Sequence, residues 1–283
     1  MHKRNPELVV LSDLHLGTFG CHAAEIANYL RSIAPQTLVL NGDIIDGWQF
    51  SKHYFPASHL EVIREILGLL SRGTRVIYIT GNHDEVLRRY SDLNIGNLFL
   101  TDKLVIELDG KKAWFFHGDV FDASTKGPAK ILAKLGGKGY DLLILLNRFF
   151  NYLLNLLGRE KMSFSKRVKN SVKKAVAWIA DFEQTAAELA IEKGYDFVAC
   201  GHIHQPSKRI VETSKGRVVY LNSGDWVEHL TALEYSGGNW SIYQYNAHEF
   251  PATAKSRHSS KVPMADVATQ EVSLFINSLI PQA

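Results

Sequence analysis

Short apolar runs that end in a polar cluster recur along this chain, and each predicts a β-strand followed by a loop. The stretches "ELVVLSDLHLG", "TLVLNGDIIDG" and "RVIYITGNHDE" share this pattern in the first third of the sequence. Apolar residues at helical spacing fill the intervals between them, as in "HAAEIANYLRSIA" and "SHLEVIREILGLLSRG". The alternation of strand and helix predicts an α/β fold.

The same pattern continues later in the chain, where fewer helices separate the strands. "KAWFFHGDVFD", "DFVACGHIHQP" and "RVVYLNSGDWV" predict further strands, and "LTALEYSGGNWSIYQY" predicts a hairpin that turns at its paired glycines. We therefore expect a single α/β domain over residues 1–246.

Two segments depart from this pattern. Residues of about 123–193 predict a helical insertion, with "YDLLILLNRFFNYLLNLLG" apolar on nearly every side and "REKMSFSKRVKNSVKKAV" strongly basic. Residues 247–283 start without periodicity and predict a flexible tail, in which "MADVATQEVSLFINSLI" could form a short amphipathic helix.

Composition narrows the class of protein without naming a function. The 283 residues are 46% hydrophobic and 22% charged, as in ordinary globular proteins. The net charge of +3 is too small to indicate a nucleic-acid partner, and none is expected. Only Cys21 and Cys200 are present, which favours a reducing compartment. No signal peptide and no run of about 18 apolar residues is visible, so we expect a cytoplasmic protein.

The polar clusters after the strands are rich in Asp, Asn and His, which are ligands for Mn²⁺, Fe, Zn²⁺ or Mg²⁺. In a largely parallel sheet, the loops after the strands converge on one edge. Each motif alone also suits a turn or a cap, but five of them in this order favour a metal site. The candidate residues are Asp13, His15, Asp43, Asn82, His83, His117, His202 and His204.

In this order the motifs D-x-H, G-D, G-N-H-D, H-G-D and G-H-x-H resemble those of the calcineurin-like metallophosphoesterases. The resemblance covers about residues 7–246. It implies a four-layer α/β sandwich of two mixed β-sheets flanked by helices, here with the helical insertion. It also implies a dinuclear metal site at one edge of the sheets, where two ions activate water for attack on phosphorus.

Carried over residue by residue, the resemblance assigns two metal sites that share one bridging carboxylate. Mn²⁺ is the expected metal, with Fe, Zn²⁺ and Mg²⁺ as alternatives. The first ion would be bound by Asp13, His15, Asp43 and His204. The second would be bound by Asp43, Asn82, His117 and His202.

The resemblance also implies roles around the metals. His83 would contact the phosphate or protonate the leaving oxygen, and Asp84 would orient it. His83 could alternatively be a further metal ligand or an ordinary loop histidine. Asp46, Asp119 and Asp225 would fix the ligand imidazoles, although each also suits a turn.

Three further features resemble the UDP-2,3-diacylglucosamine pyrophosphatase branch of the family. They are the helical insertion, an arginine pair after "GNHDE", and "NSGDWVEHLTALEY" after the last histidines. That branch uses manganese to produce UMP and acylated glucosamine 1-phosphate in lipid A assembly, as peripheral proteins at the inner face of the cytoplasmic membrane. Its inserted helices hold the acyl chains, which implies possible contact between the insertion and membrane lipid here. The substrate-binding residues expected on this basis are Arg88, Arg89, Lys166, Arg167 and Lys169. The alternative for the insertion is a helical hairpin that packs its leucines onto the domain and exposes its basic residues to solvent.

One position departs from the branch. Its best-known enzymes carry arginine directly after the metal-binding asparagine, where this chain has His83, as more general phosphoesterases do. A phosphodiesterase or phosphatase that acts on a soluble nucleotide or a phosphoprotein is therefore the alternative. A binding protein with a degenerate site is a further alternative, but the complete ligand set argues against it.

Overall fold

The structure, a computed structural model, describes residues 3–48, 54–121 and 165–250, with no side chains described for 165–177. The helices are α1 (Ala23–Ser32), α2 (Ala57–Ser71) and α3 (Ser165–Glu192), with short 3-10 helices at Glu85–Tyr90, Asp119–Phe121 and Ala247–Glu249. The strands are β1 (Leu8–Leu11), β2 (Thr37–Asn41), β3 (Arg75–Ile79), β4 (Asn94–Ile95), β5 (Leu98–Thr101), β6 (Lys103–Leu108), β7 (Lys111–Phe116), β8 (Phe197–Cys200), β9 (Ser207–Thr213), β10 (Gly216–Asn222), β11 (Thr231–Ser236) and β12 (Asn239–Gln244).

The described strands form two mixed sheets. The larger has the order β12-β11-β1-β2-β3-β5-β4, and the smaller has the order β6-β7-β8-β10-β9. Strands β1, β2, β3 and β5 pair in parallel, as do β7, β8 and β10, while the outer pairs are antiparallel. The predicted α/β sandwich of two mixed sheets with flanking helices is confirmed.

Buried side chains explain why the central strands are apolar throughout. In β1, Leu8 and Val10 belong to the core between the two sheets, together with Phe115 of β7. Val9 and Leu11 belong to a second core that includes residues of α1 and α2. A strand that is covered on both faces needs apolar residues at every position, which is the pattern seen in the sequence.

The parallel pairing determines where the polar loops meet. Parallel neighbours have their carboxyl ends at the same edge, so the loops after β1, β2 and β3 lie side by side. The same holds for the loops after β7 and β8 in the smaller sheet. Side chains from all five loops come within 4.8 Å of one another in small groups, so the loops of both sheets lie at one edge of the sandwich.

The chain divides into two compact units, one of Met1–Asp119 with Ala187–Ala283 and one of Val120–Ala186. The apolar part of the predicted insertion, 142–157, lies outside the described residues. Of the predicted tail, residues 247–249 form a 3-10 helix, and 251–283 lie outside the described residues. Within the part of the chain that is described, no helix is long and apolar enough to cross a membrane.

Candidate metal centre

The seven residues predicted as metal ligands lie on the five loops at the shared edge of the sheets. Six of the seven, all but Asn82, together with His83 form three convergent groups, in each of which the ligand atoms lie within 4.8 Å of one another. Asp13, Asp43 and His117 are at most 2% exposed. The groups are Asp13 with His15 and His204, Asp43 with His117 and His202, and His15 with Asp43 and His83.

The first group places two imidazole nitrogens and a carboxylate oxygen around one point. His204 Nε2 lies 3.2 Å from Asp13 Oδ1 and 3.3 Å from His15 Nε2. His15 Nε2 lies 4.0 Å from the same Asp13 oxygen. Because oxygen and imidazole nitrogen are ligands for borderline divalent metals, this group fits one ion.

The second group is held in a form that suits metal binding. His117 Nδ1 donates a hydrogen bond to the Asn41 carbonyl oxygen at 2.9 Å, which leaves Nε2 as the ligand atom. His117 Nε2 lies 3.2 Å from Asp43 Oδ2. The side-chain oxygen of Asn82 is buried without a hydrogen-bond partner. A buried carbonyl oxygen of this kind is costly unless a ligand satisfies it, so it also fits a cation.

Asp43 connects the two groups. Its Oδ1 accepts the backbone N–H of His83 at 2.8 Å, and its Oδ2 faces His117 Nε2 and, at 3.9 Å, His83 Nε2. Burial alone raises the pKa of Asp43, but His117, His83 and His15 together hold that pKa well below its usual value. The carboxylate is therefore ionised, and it also lies within 4.8 Å of a ring nitrogen of His15, which belongs to the first group.

The backbone of the ligand loops is strained at the ligands themselves. Five of the seven residues have a positive φ between 51° and 68°, which costs roughly 1–2 kcal/mol per non-glycine residue. The backbone bonds from Asp13 N to Gly42 O and from His15 N to Asp43 O, both 3.0 Å, hold the neighbouring loops together. The five are Asp13, His15, Asp43, His202 and His204.

Glycines in the motifs are required by close approach of ligand side chains. A Cβ at Gly42 would overlap the His117 ring, and a Cβ at Gly81 would overlap the Asp43 carboxylate. A Cβ at Gly201 would lie 2.6 Å from Asp13 Oδ2. The glycine of each motif therefore makes room for a ligand from another loop.

Asp46 contacts two site histidines. Its Oδ2 lies 3.3 Å from His15 Nδ1 and 2.9 Å from His83 Nδ1, while its Oδ1 accepts the backbone N–H of Trp48 at 3.0 Å. Burial raises the pKa of Asp46, but hydrogen bonds from His15 and His83 lower that pKa below its usual value. Asp46 thus orients both imidazoles.

The predicted pairing of His83 with Asp84 is corrected by the geometry. The Asp84 carboxylate accepts hydrogen bonds from the Ile44 N–H at 2.9 Å, the Tyr78 hydroxyl at 2.6 Å and the Gly81 N–H. These bonds fix the loop that carries Asn82 and His83. Asp84 orients the loop backbone, and Asp46 is the carboxylate at the His83 ring.

Of the other residues predicted to orient ligands or bind substrate, some contact the candidate metal ligands and others have different partners. Asp225 Oδ2 lies 3.4 Å from His204 Nδ1, as expected for a carboxylate that fixes this imidazole. Asp119 forms an ion pair with Arg88 at 2.5 Å, and its negative charge contributes to raising the pKa of His117. Arg89 is exposed and donates from Nε to the Val86 carbonyl. The side chains of Lys166, Arg167 and Lys169 lie outside the described ones.

Several residues at the site had no sequence signal of function. Trp48 packs its ring on His83 with centroids 4.2 Å apart, and His229 Nδ1 lies 2.9 Å from Asp225 Oδ2. Tyr78 and Asn41 belong to apolar strand runs, so only the strand pairing brings their polar atoms to the loops.

Metal binding is expected to release about two protons per chain near pH 7.5, because ligating imidazoles must be neutral. Burial lowers the pKa of His117 and of His204, but Asp43 raises the first to about 10 and Asp13 raises the second to about 11. Both are protonated at neutral pH without metal. Calorimetric titration with Mn²⁺ in two buffers of different ionisation heat measures the release. Heats that do not depend on the buffer would contradict it.

Asp225→Asn is expected to weaken metal affinity by about 10- to 100-fold, because the partner that fixes His204 loses its charge. The matched control is His229→Asn, which changes the other neighbour of the same carboxylate and is expected to bind metal within about threefold of wild type. Metal titration of both variants measures the effect. Wild-type affinity in Asp225→Asn would remove this carboxylate from the site.

Comparison with known proteins gives relatives of similar length. The UDP-2,3-diacylglucosamine hydrolase of Aliivibrio fischeri is 25% identical over 244 residues, which cover 84% of this chain and 98% of the relative. That of Stenotrophomonas maltophilia (strain K279a) is 25% identical over 246 residues, covering 82% and 96%.

Solved structures also align with the chain. An archaeal phosphodiesterase is 16% identical with a TM-score of 0.39, over 84% of this chain and 98% of that one. A phosphoesterase from E. coli is 14% identical with a TM-score of 0.39, over 84% and 99%.

The sequence model of the calcineurin-like phosphoesterases matches residues 7–206, which is more than half of the chain and includes all seven predicted ligands. Members of this family use divalent metal ions, and the convergent Asp, His and Asn side chains described above fit such ions. The chain therefore belongs to the calcineurin-like phosphoesterase family and is a metal-dependent hydrolase.

Proposed function

We propose that this hydrolase cleaves the pyrophosphate of UDP-2,3-diacylglucosamine, or of a similar lipid-linked nucleotide sugar, to UMP and acylated glucosamine 1-phosphate. The substrate is supported by relatives of that name that align over nearly their whole length. The reaction class rests on one observation, which is that a carboxylate oxygen of Asp43 lies within 4.8 Å of a ring nitrogen of His15, from the first group, and also of ring nitrogens of His117 and His202, from the second.

The proposed ligands are those assigned by the motifs. Asp13, His15 and His204 would hold one ion, and Asn82, His117 and His202 the other, with Asp43 shared. When bound, two Mn²⁺ ions would supply positive charge to the attacking and leaving oxygens at phosphorus. The carboxylates and imidazoles named above would hold the ions in place before substrate arrives, which would lower the reorganisation needed during reaction.

His83 is the proposed proton donor to the leaving oxygen. Its Nδ1 faces Asp46 at 2.9 Å, so Nε2 points toward Asp43 and the centre. Burial lowers the pKa of His83, but Asp46 and Asp43 raise that pKa above its usual value. A protonated imidazole beside the reacting phosphate can stabilise its negative charge or donate its proton.

The proposed substrate is a membrane lipid, which makes the surface of the cytoplasmic membrane the proposed place of action. Lys166, Arg167 and Lys169 are proposed to meet anionic head groups or the diphosphate. Cations at such a surface contribute on the order of 1 kcal/mol each.

Hydrolysis of UDP-2,3-diacylglucosamine with Mn²⁺, followed by mass spectrometry for UMP, tests this proposal. UMP is expected from the acylated substrate and not from UDP-N-acetylglucosamine. Asn82→Ala is expected to abolish the release because it removes a proposed ligand. Asn239→Ala, on the exposed β11–β12 turn, is the matched control and should retain the activity.

His83 in place of arginine favours a second candidate, a phosphodiesterase for soluble substrates, because alkoxide leaving groups need a proton more than phosphate leaving groups do. Rapid cleavage of an aryl phosphodiester without UMP release from the lipid would support this candidate. That result would retain the metal centre and overturn the lipid substrate.

A further inference from the structure

An apolar pocket of about 430 Å³ lies beside the loop that carries Asn82 and His83. Its volume is within the range of about 300–1,000 Å³ that is usual for small-ligand sites. We call it the β5 pocket. Its floor is formed by Tyr78, Leu98, Leu100 and Ile95, and Leu87, Tyr90 and Leu93 complete its wall.

Strand register explains why the pocket exists. Tyr78 pairs with Leu100 across β3 and β5, and Leu98 pairs with Ile95 across β5 and β4, so all four side chains share one face. Further along the sheet this face is covered by α1 and α2, whose residues share a core with Val76. Over β5 the described cover is the short 3-10 helix Glu85–Tyr90.

Residues that line the β5 pocket also contact residues of the loops that carry the candidate metal ligands. The Tyr78 hydroxyl donates to Asp84 at 2.6 Å, and the Leu87 N–H donates to the Asp84 carbonyl at 2.9 Å. On the same 3-10 helix, Arg88 forms an ion pair with Asp119, two residues after His117. A ligand in the pocket therefore lies against the residues that fix two of the site loops.

The lining selects an alkyl chain. Five of the seven lining residues are aliphatic, and the Tyr78 hydroxyl already bonds to Asp84. A sugar or a nucleobase would leave its polar groups unpaired among these side chains, at a cost that an alkyl chain avoids. Pairing with a second copy at this edge is disfavoured because β4 has only two residues.

We propose that the β5 pocket binds an acyl chain of the phosphoester substrate. This inference rests on the proposed lipid substrate. It adds that residues of the α/β core bind one acyl chain of that substrate. None of the described residues that line the pocket belongs to the apolar segment 142–157, to which the family resemblance assigns the same role. Tyr90, Leu93 and Ile95 are 41%, 46% and 59% exposed and form the mouth of the pocket.

A series of alkyl p-nitrophenyl phosphodiesters tests the pocket without the UDP-linked lipid. With butyl to decyl esters below their aggregation concentrations, kcat/KM of wild type is expected to rise at least about tenfold, because each buried methylene adds binding energy. Ile95→Lys places a charge at the mouth and is expected to reduce the rise to under about threefold. Leu93→Lys is a second variant at the same mouth with the same expectation.

Ile210→Lys is the matched control, because Ile210 is 63% exposed on another edge strand, β9, which belongs to the smaller sheet, whereas the pocket strands β3, β5 and β4 belong to the larger one. It is expected to keep the full rise. For each variant, kcat/KM for the decyl ester is divided by kcat/KM for the butyl ester, so a change in the overall rate cancels. The proposal would be overturned if both Ile95→Lys and Leu93→Lys kept the rise in kcat/KM. It would also be overturned if wild type showed no rise, or if Ile210→Lys lost it.

The two proposals fail in different ways. A wild type that shows the chain-length effect but releases no UMP from the acylated UDP-sugar would support the pocket and overturn the proposed substrate. A change of oligomeric state in Ile95→Lys, measured by light scattering, would show that a second copy occupies the pocket and would overturn the acyl-chain inference.

Discussion

Asp43→Asn is expected to lower kcat/KM for an aryl phosphodiester by about a thousandfold, or roughly 4 kcal/mol of transition-state stabilisation. The substitution keeps the size of the side chain but removes a negative charge that lies within 4.8 Å of ring nitrogens of His15, His117 and His202. An amide can offer only one oxygen, so at most one ion would retain its ligand from this residue. Steady-state kinetics at saturating Mn²⁺ measures the effect.

The control for this prediction is Asp196→Asn. The Asp196 carboxylate accepts a backbone N–H from Lys112 at 2.8 Å on the exposed surface, which an asparagine oxygen can also do. Its kcat/KM should stay within about twofold of wild type. Activity above about a tenth of wild type in Asp43→Asn would contradict the assignment of Asp43 as the shared ligand.

Gly81→Ala is expected to reduce activity by about a hundredfold or more and to lower the free energy of unfolding by about 1–3 kcal/mol. An added Cβ would overlap the Asp43 carboxylate and lie 2.6 Å from the Asp43 backbone nitrogen. Either the Asp43 side chain or the loop with Asn82 must move, and each movement separates ligand atoms. Kinetics and chemical denaturation of the same preparation measure both effects.

Gly68→Ala is the matched glycine variant. A Cβ there would meet only the flexible end of Arg72, at 3.2 Å, on helix α2. Because alanine favours helix more than glycine does, stability should be unchanged or higher, with wild-type activity. A Gly81→Ala enzyme as active as Gly68→Ala would show that the close approach to Asp43 is not required.

The convergence of the candidate ligands could be predicted from sequence because each of their motifs follows an apolar run. Parallel strands bring their carboxyl ends to one edge, so Asp13, Asp43 and Asn82 converge whatever the details of the loops. The glycines before Asp43, Asn82 and His202 are part of the same signal, because ligands from other loops occupy the space of their Cβ atoms.

The contacts around the ligands could not be predicted in the same way. Asp84 is next to His83 in sequence, yet its carboxylate turns to the Gly81 and Ile44 N–H groups, because these backbone donors would otherwise be buried without an acceptor. Asp46 reaches His83 from a loop 37 positions earlier in the chain. Which carboxylate meets an imidazole depends on loop backbone geometry, which the sequence motifs do not specify.

Two strands at the edges of the sheets, β4 and β9, were not predicted from the sequence. Strand β4 has two residues, too few for a period of two to be visible. Strand β9 is mostly exposed, so its residues lack the apolar run that marks the central strands. The β5 pocket depends on these missed pairings, since β5 and β4 align Leu98 with Ile95.

The central claim, that one chain holds two metal ions through a shared Asp43, is tested most directly by the stoichiometry of metal binding. Metal-free protein is titrated with Mn²⁺ in a calorimeter, with Asp43→Asn titrated beside it. We expect two ions per wild-type chain and at most one per Asp43→Asn chain. One ion per wild-type chain, or two in both proteins, would contradict the claim.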